Sequence, residues 1–183
     1  MVGWYIRELC KIELAALPIY LLLRRPWKNW SKREAALGAF VLFMMGLLLL
    51  AFQGEYDTPG MMFHRAYVRL RTQAGINLVP FRSIMSYFRY YDRSSFLVNF
   101  WGNIVMFMPW GFGLVLLWER NQRLRSVILH SLALTFLIET VQLFIERSVD
   151  VDDLILNFSG SFLGAILYFA LRKIFPRLHD YAI

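Results

Sequence analysis

Residues 96–118 read FLVNFWGNIVMFMPWGFGLVLLW, twenty-three positions without one charge. The run exceeds the roughly 20 apolar residues that an α-helix needs to cross about 30 Å of hydrocarbon, so it reads as a membrane span and decides the fold class. Working outward, residues 35–52 are uncharged over eighteen positions, 126–145 hold one acid, Glu139, and 154–171 hold none. Each is long and apolar enough to cross. Residues 2–23 form a weaker segment, interrupted by Arg7, Glu8, Lys11 and Glu13 and bent at Pro18. Its charges share no single helical face, which favours a marginal fifth span over a surface helix. The expected architecture is an all-α, polytopic transmembrane helical bundle of about five spans, one membrane domain over residues 1–183. A long extracytoplasmic loop, 53–95, separates the second and third spans.

Composition agrees. With 58% hydrophobic, 17% aromatic and only 18% charged residues, the chain is too apolar for an ordinary soluble domain and is not disordered, collagen-like or disulfide-rich. Cys10, the sole cysteine, has no partner for an internal bridge. The residues before it, Arg7, Glu8 and Leu9, are not the small residues of a lipoprotein cleavage site, so it reads as a buried small side chain.

The formal charge of +7 is distributed as a topology signal. Arg24, Arg25, Lys28, Lys32 and Arg33 follow the first segment, Arg120, Arg123 and Arg125 join the third and fourth spans, and Arg172, Lys173 and Arg177 follow the last. The opposite side holds Arg147 in its short loop and Arg7 and Lys11 near the start; six arginines of the long loop fall on that side too, but long loops count little toward orientation. Short basic links resist translocation, so the N-terminus is expected outside and the C-terminus inside. The cations form no stripe with interleaved stacking aromatics, which argues against nucleic acid. Membrane lipids with anionic headgroups are the expected partners of the inner arginines.

Polar residues within spans are costly in hydrocarbon unless partnered. Here they cluster at one depth: Asn99 and Asn103 on the third span, Glu139 and Gln142 on the fourth, Asp153, Asn157 and Ser161 on the fifth, all in the outer half. Their i,i+3 and i,i+4 spacings give each helix one polar stripe. The loop ERSVDVDD (146–153) adds Arg147, Asp150, Asp152 and Asp153 at the mouth of those stripes. A polar cleft opening outward satisfies them together. Blander roles compete: Asp152 or Asp153 as N-cap of the last span, and the asparagines as interhelical hydrogen bonds. Glu139 requires a strong partner, with Arg147 or Arg82 the expected counter-charge. Gly160 and Gly164 form a GxxxG spacing for close helix packing, and the run from Pro109 to Gly113 should kink or loosen its helix. In the long loop, Tyr87, Phe88, Tyr90, Tyr91 and Phe96 near Arg82, Arg89 and Arg93 suit the headgroup zone. His64 and His130 lack metal-ligand spacing and read as non-catalytic, and no motif diagnoses a metal or cofactor.

Four motifs in one order, NLVPFRSI (77–84), GNIVMFMPWG (102–111), ETVQ (139–142) and DVDDLILN (150–157), followed by Gly160 and Gly164, resemble the VanZ-like family over residues 76–168. Residues 1–52 match it only as generic hydrophobic helices. Trp110 stands where the family more often has a smaller or aliphatic residue, a departure that touches packing rather than the polar set. The resemblance implies a bacterial membrane protein, from a family named for members that lower susceptibility to teicoplanin and related lipid-bearing glycopeptides.

Three functions remain open at this point. In the first, the outward cleft binds an amphiphile, such as a lipid-linked cell-wall precursor or the drug itself, through Arg82, Asn99, Asn103, Gln142, Arg147, Asp152 and Asn157. In the second, an intramembrane enzyme uses Glu139 with Asp150 or Asp153, or with Asp152, as acid and base, or its carboxylates hold Mg²⁺ against a phosphate. The third is a scaffold that uses the GxxxG face.

Overall fold

The computed structural model describes residues 17, 18, 20–22, 24, 31–90 and 96–181. The expected first span lies mainly outside these residues, and Cys10, Tyr91 and Arg93 lie wholly outside them. Among the described residues, four helical stretches are long and apolar enough to cross a membrane: Lys32–Ala51, Leu97–Leu117, Leu124–Phe144 and Val151–Ile174. The chain is an all-α, multi-pass membrane protein.

Helix α1 is Lys32–Ala51, begun by Ser31, whose hydroxyl accepts from Glu34 N–H at 3.1 Å. The long connection that follows is not a plain loop. It contains helix α2 (Pro59–Thr72), strand β1 (Ile76–Asn77) and helix α3 (Arg82–Tyr90). Pro59 stands in the first turn of α2, where its missing N–H costs nothing, and Gln73 closes that helix in the left-handed conformation. A π-helical turn, Leu97–Trp101, leads into α4 (Gly102–Leu117). Helix α5 (Leu124–Phe144) returns, strand β2 (Val149–Asp150) pairs parallel with β1, and α6 (Val151–Ile174) crosses last.

Helices α4 and α6 run side by side in the same direction, with Asn103 meeting Asp153 near their starts and Phe112 meeting Tyr168 further along. Within hydrocarbon no hydrophobic effect drives helices together, so close packing must do so. Their glycines show how close. A Cβ at Gly160 would stand 2.1 Å from Ile104 O, at Gly164 1.9 Å from Met108 O, and at Gly111 1.8 Å from Ser161 O. The GxxxG pair therefore seats α6 on the backbone of α4, and Gly111 returns the contact. Helix α4 continues through Pro109, and its irregular turn lies at Leu97–Trp101, beside Asn99, rather than between Pro109 and Gly113. Leu47, Phe107 and Ile138 join α1, α4 and α5, while Val115, Val127, Ala165 and Tyr168 form a second core at the end rich in basic residues.

Gly160→Ala is expected to destabilise the protein by at least about 2 kcal/mol, because the added methyl meets backbone that cannot yield. Gly60→Ala, with nothing within 4 Å among the described residues, is expected to be neutral or slightly stabilising. Thermal unfolding of both variants in detergent measures the contrast.

Candidate functional site at the loop end

The ends of α1 and α5 and the starts of α4 and α6 meet residues 53–90 at one end of the bundle, where three carboxylates organise the chain. Glu139, on α5 and only 7% exposed, accepts from Asp150 N–H at 2.9 Å. Asp150 is the N-cap of α6, its carboxylate accepting from Asp152 N–H at 2.9 Å, from Asn77 Nδ2 at 2.8 Å and from the Ser83 hydroxyl. Asp152, fully buried, reaches across to the start of α3 and accepts from the N–H groups of Phe81, Ser83 (2.7 Å) and Ile84 (3.1 Å). The expected capping role thus falls to Asp150, because Asp152 is spent on the amides of a different helix.

This hold fixes an unusual backbone. Phe81 is in the left-handed region, φ 66°, which costs a non-glycine residue on the order of 1 kcal/mol. The bonds that Asp152 accepts from that residue's own N–H and from the two amides just after the turn offset the strain. Asn77 anchors the same turn from its start, since its Oδ1 accepts from Val79 N–H at 3.1 Å while its amide donates to Asp150.

Arg69, on α2, does the converse. Its guanidinium donates to the carbonyls of Gln142 (3.3 Å) and Leu143 (2.8 Å) in the last turn of α5, to that of Arg147 (2.6 Å) in the loop after it, and to those of Ala74 and Gly75 at 3.2 Å. A helix ends with carbonyls that lack intrahelical partners. One planar fork of donors satisfies two of them here.

Among the described residues no Lys or Arg lies within 4 Å of the Glu139 carboxylate, so neither Arg82 nor Arg147 is its ion-pair partner. Arg147 instead donates to Gln53 O at 3.2 Å, and Gln142 Nε2 to Ala51 O at 3.0 Å; both fasten the end of α1 to α5. Asn103 Nδ2 bridges Asn99 O and Asp153 Oδ1, each at 2.9 Å. Asn157 is buried deeper on α6, with Oδ1 unpartnered among the described residues. Most of these polar side chains are thus engaged in bonds that join the helix ends and the 53–90 segment. Among the described residues no three His, Cys, Asp or Glu side chains are arranged to hold a metal ion.

A pocket of about 390 Å³ opens above this scaffold, between the β1–β2 pair and α3, with Asn77, Arg82, Ser83, Ser86, Ser148 and Asp150 in its wall. Asp150 and Arg82 are the residues of the sequence-derived set that line it. Asn77, Ser83 and Arg69 lay outside that set. Asn77 and Ser83 were signalled only as members of the NLVPFRSI motif, and nothing in the sequence distinguished Arg69 from the other loop arginines.

Asp152→Ala leaves three amides without their acceptor and is expected to cost about 3 kcal/mol or more. It should also open residues 81–90 to limited proteolysis, with Asp152→Asn intermediate. Arg69→Met is expected to destabilise comparably.

A family model described as VanZ/LLP1 matches residues 14–172. The match begins well ahead of residue 76, where the motifs start, so α1 and part of the first segment belong to the family's unit rather than being generic helices. No curated protein and no solved structure matches the chain. The chain belongs to the VanZ-like family and is a multi-pass membrane protein.

Proposed function

We propose that the loop end of this protein binds the polar head of an amphiphile, either a lipid-linked cell-wall precursor or a lipid-bearing glycopeptide, and thereby lowers susceptibility to teicoplanin and its relatives. In this reading the protein lies in the bacterial cytoplasmic membrane with its N-terminus outside, its C-terminus inside and the loop end facing out. The basic links at the other end, including Arg120, Arg123, Arg125, Arg172 and Lys173, support that orientation.

The observation that carries the proposal is a polar pocket beside an apolar ridge. Arg82, Ser83 and Ser86 face the pocket from α3. At about 100° per residue, Met85 stands about 60° round the same helix from Arg82 and Phe88 about 120° from it, turned away from the pocket; both are exposed, as are Leu78, Val79 and Phe81 just before the helix. A guanidinium suits a phosphate or carboxylate, and the ridge suits a hydrocarbon chain attached to it.

Binding is favoured over acid–base catalysis because Asp150 and Asp152 are already engaged as acceptors for backbone amides and Asn77. Holding the fold in this way leaves them poorly disposed to exchange protons with a substrate.

Expression in a susceptible Gram-positive host tests the proposal. Wild type is expected to protect more strongly against teicoplanin than against vancomycin, which lacks the lipid tail. Arg82→Gln, at equal membrane abundance, is expected to lose most of that protection, on the order of tenfold for one charge-assisted contact. Full protection by Arg82→Gln contradicts the reading. Loss with Glu139→Gln at unchanged stability and abundance would turn the account toward catalysis.

A further inference from the structure

We infer that the opposite, basic end of the bundle carries a second site, which takes the phosphate group of an anionic ligand. A pocket of about 400 Å³ lies between the end of α4 (Leu114, Trp118), the short turn after it (Arg120, Asn121) and the start of α5 (Ser126, His130). It shares no residue with the loop-end pocket, so either assignment can fail alone.

The polar groups in its wall are set for an anion. Ser126 Oγ donates to Asn121 Oδ1 at 2.6 Å, which occupies the acceptor of that amide and leaves its N–H groups to donate. Arg120 adds an exposed guanidinium, whose donors fit two phosphate oxygens at once. His130 Nδ1 lies 2.8 Å from Ser126 O, so Nδ1 carries the proton there and Nε2 remains for a ligand hydroxyl. Among the described residues no Asp or Glu lines the pocket. Glu119, next to Arg120 in sequence, lies 3.7 Å from His179.

Position and size narrow the class. Asn121 is held in place by its own backbone, since its N–H donates to Trp118 O at 3.0 Å, so the donor geometry exists before a ligand arrives. Arg123, the residue before α5, makes no side-chain cap bond among the described residues, and the helix's first amides add positive potential nearby. A space of about 400 Å³ exceeds what a bare ion fills, and Leu114 and Trp118 give it an apolar wall at the end of two spans. A phosphate carried on a lipid meets all of these features. A soluble phosphate meets the polar ones.

The test uses the full chain in phosphatidylcholine nanodiscs. In one arm, native mass spectrometry reads retention of phosphatidic acid against phosphatidylcholine. In the other, calorimetry reads binding of inorganic phosphate. Arg120→Gln removes the paired donors and is expected to weaken binding about tenfold. Arg123→Gln removes the same charge from outside the pocket and is expected to change binding less than about twofold. Arg120→Gln touches an exposed side chain, and an unchanged melting temperature verifies its fold. Loss specific to Arg120→Gln in the lipid arm supports a headgroup site; the same loss in the phosphate arm supports a site for soluble phosphates. Equal losses in Arg120→Gln and Arg123→Gln, or no binding in either arm, overturn the inference.

Discussion

A run of carboxylates accepting backbone N–H groups holds the loop end together. Glu139 takes the amide of Asp150, Asp150 takes that of Asp152, and Asp152 takes those of Phe81, Ser83 and Ile84. The need behind it is elementary. Chain that turns at the edge of hydrocarbon has N–H and C=O groups that neither helix nor lipid can satisfy. Each link passes the constraint to another element, from α5 to β2, to the start of α6, and across to α3. Arg69 answers the opposite polarity by collecting carbonyls from the end of α5 and the loop that follows it. The pocket beside α3 exists because both ends of this arrangement are fixed.

The same placement depends on how closely α4 and α6 approach. Only glycine at 160 and 164 lets α6 rest on the carbonyls of Ile104 and Met108. That approach sets Asp153 against Asn103 and holds the first turn of α6, with Asp150 and Asp152, at the height of α3. Helix packing and polar scaffold are thus one design: loosening the glycine contact would move the carboxylates away from the amides they serve. Packing across a membrane bundle is weak per contact, which makes the charge-assisted bonds at the loop end a large share of what specifies the arrangement.

The spans were legible because hydrophobic length is a property of contiguous sequence; residues 35–52, 96–118, 126–145 and 154–171 each match a helix closely. The regular spacing of polar residues along the spans was legible for the same reason, and it is at the starts of α4 and α6 that Asn103 meets Asp153. The backbone partners of the polar residues were not. Asp152 bonds to amides about seventy positions away, and Arg69 to carbonyls about as distant. A backbone partner leaves no mark on residue type: the sequence suggests arginine counter-charges, and the carboxylates bind backbone amides instead. The helices α2 and α3 were obscured by their mixed charge and aromatic content, which the sequence equally allowed as an interfacial loop.

Amide-resolved hydrogen exchange on the intact protein tests the carboxylate scaffold most directly. Ser83 and Ile84 stand in the first turn of α3, where intrahelical partners are lacking and exchange is ordinarily fast. The account predicts that these amides and that of Asp150 exchange as slowly as the interior of α6. Exchange at the rate of an unprotected loop at all three positions would contradict it.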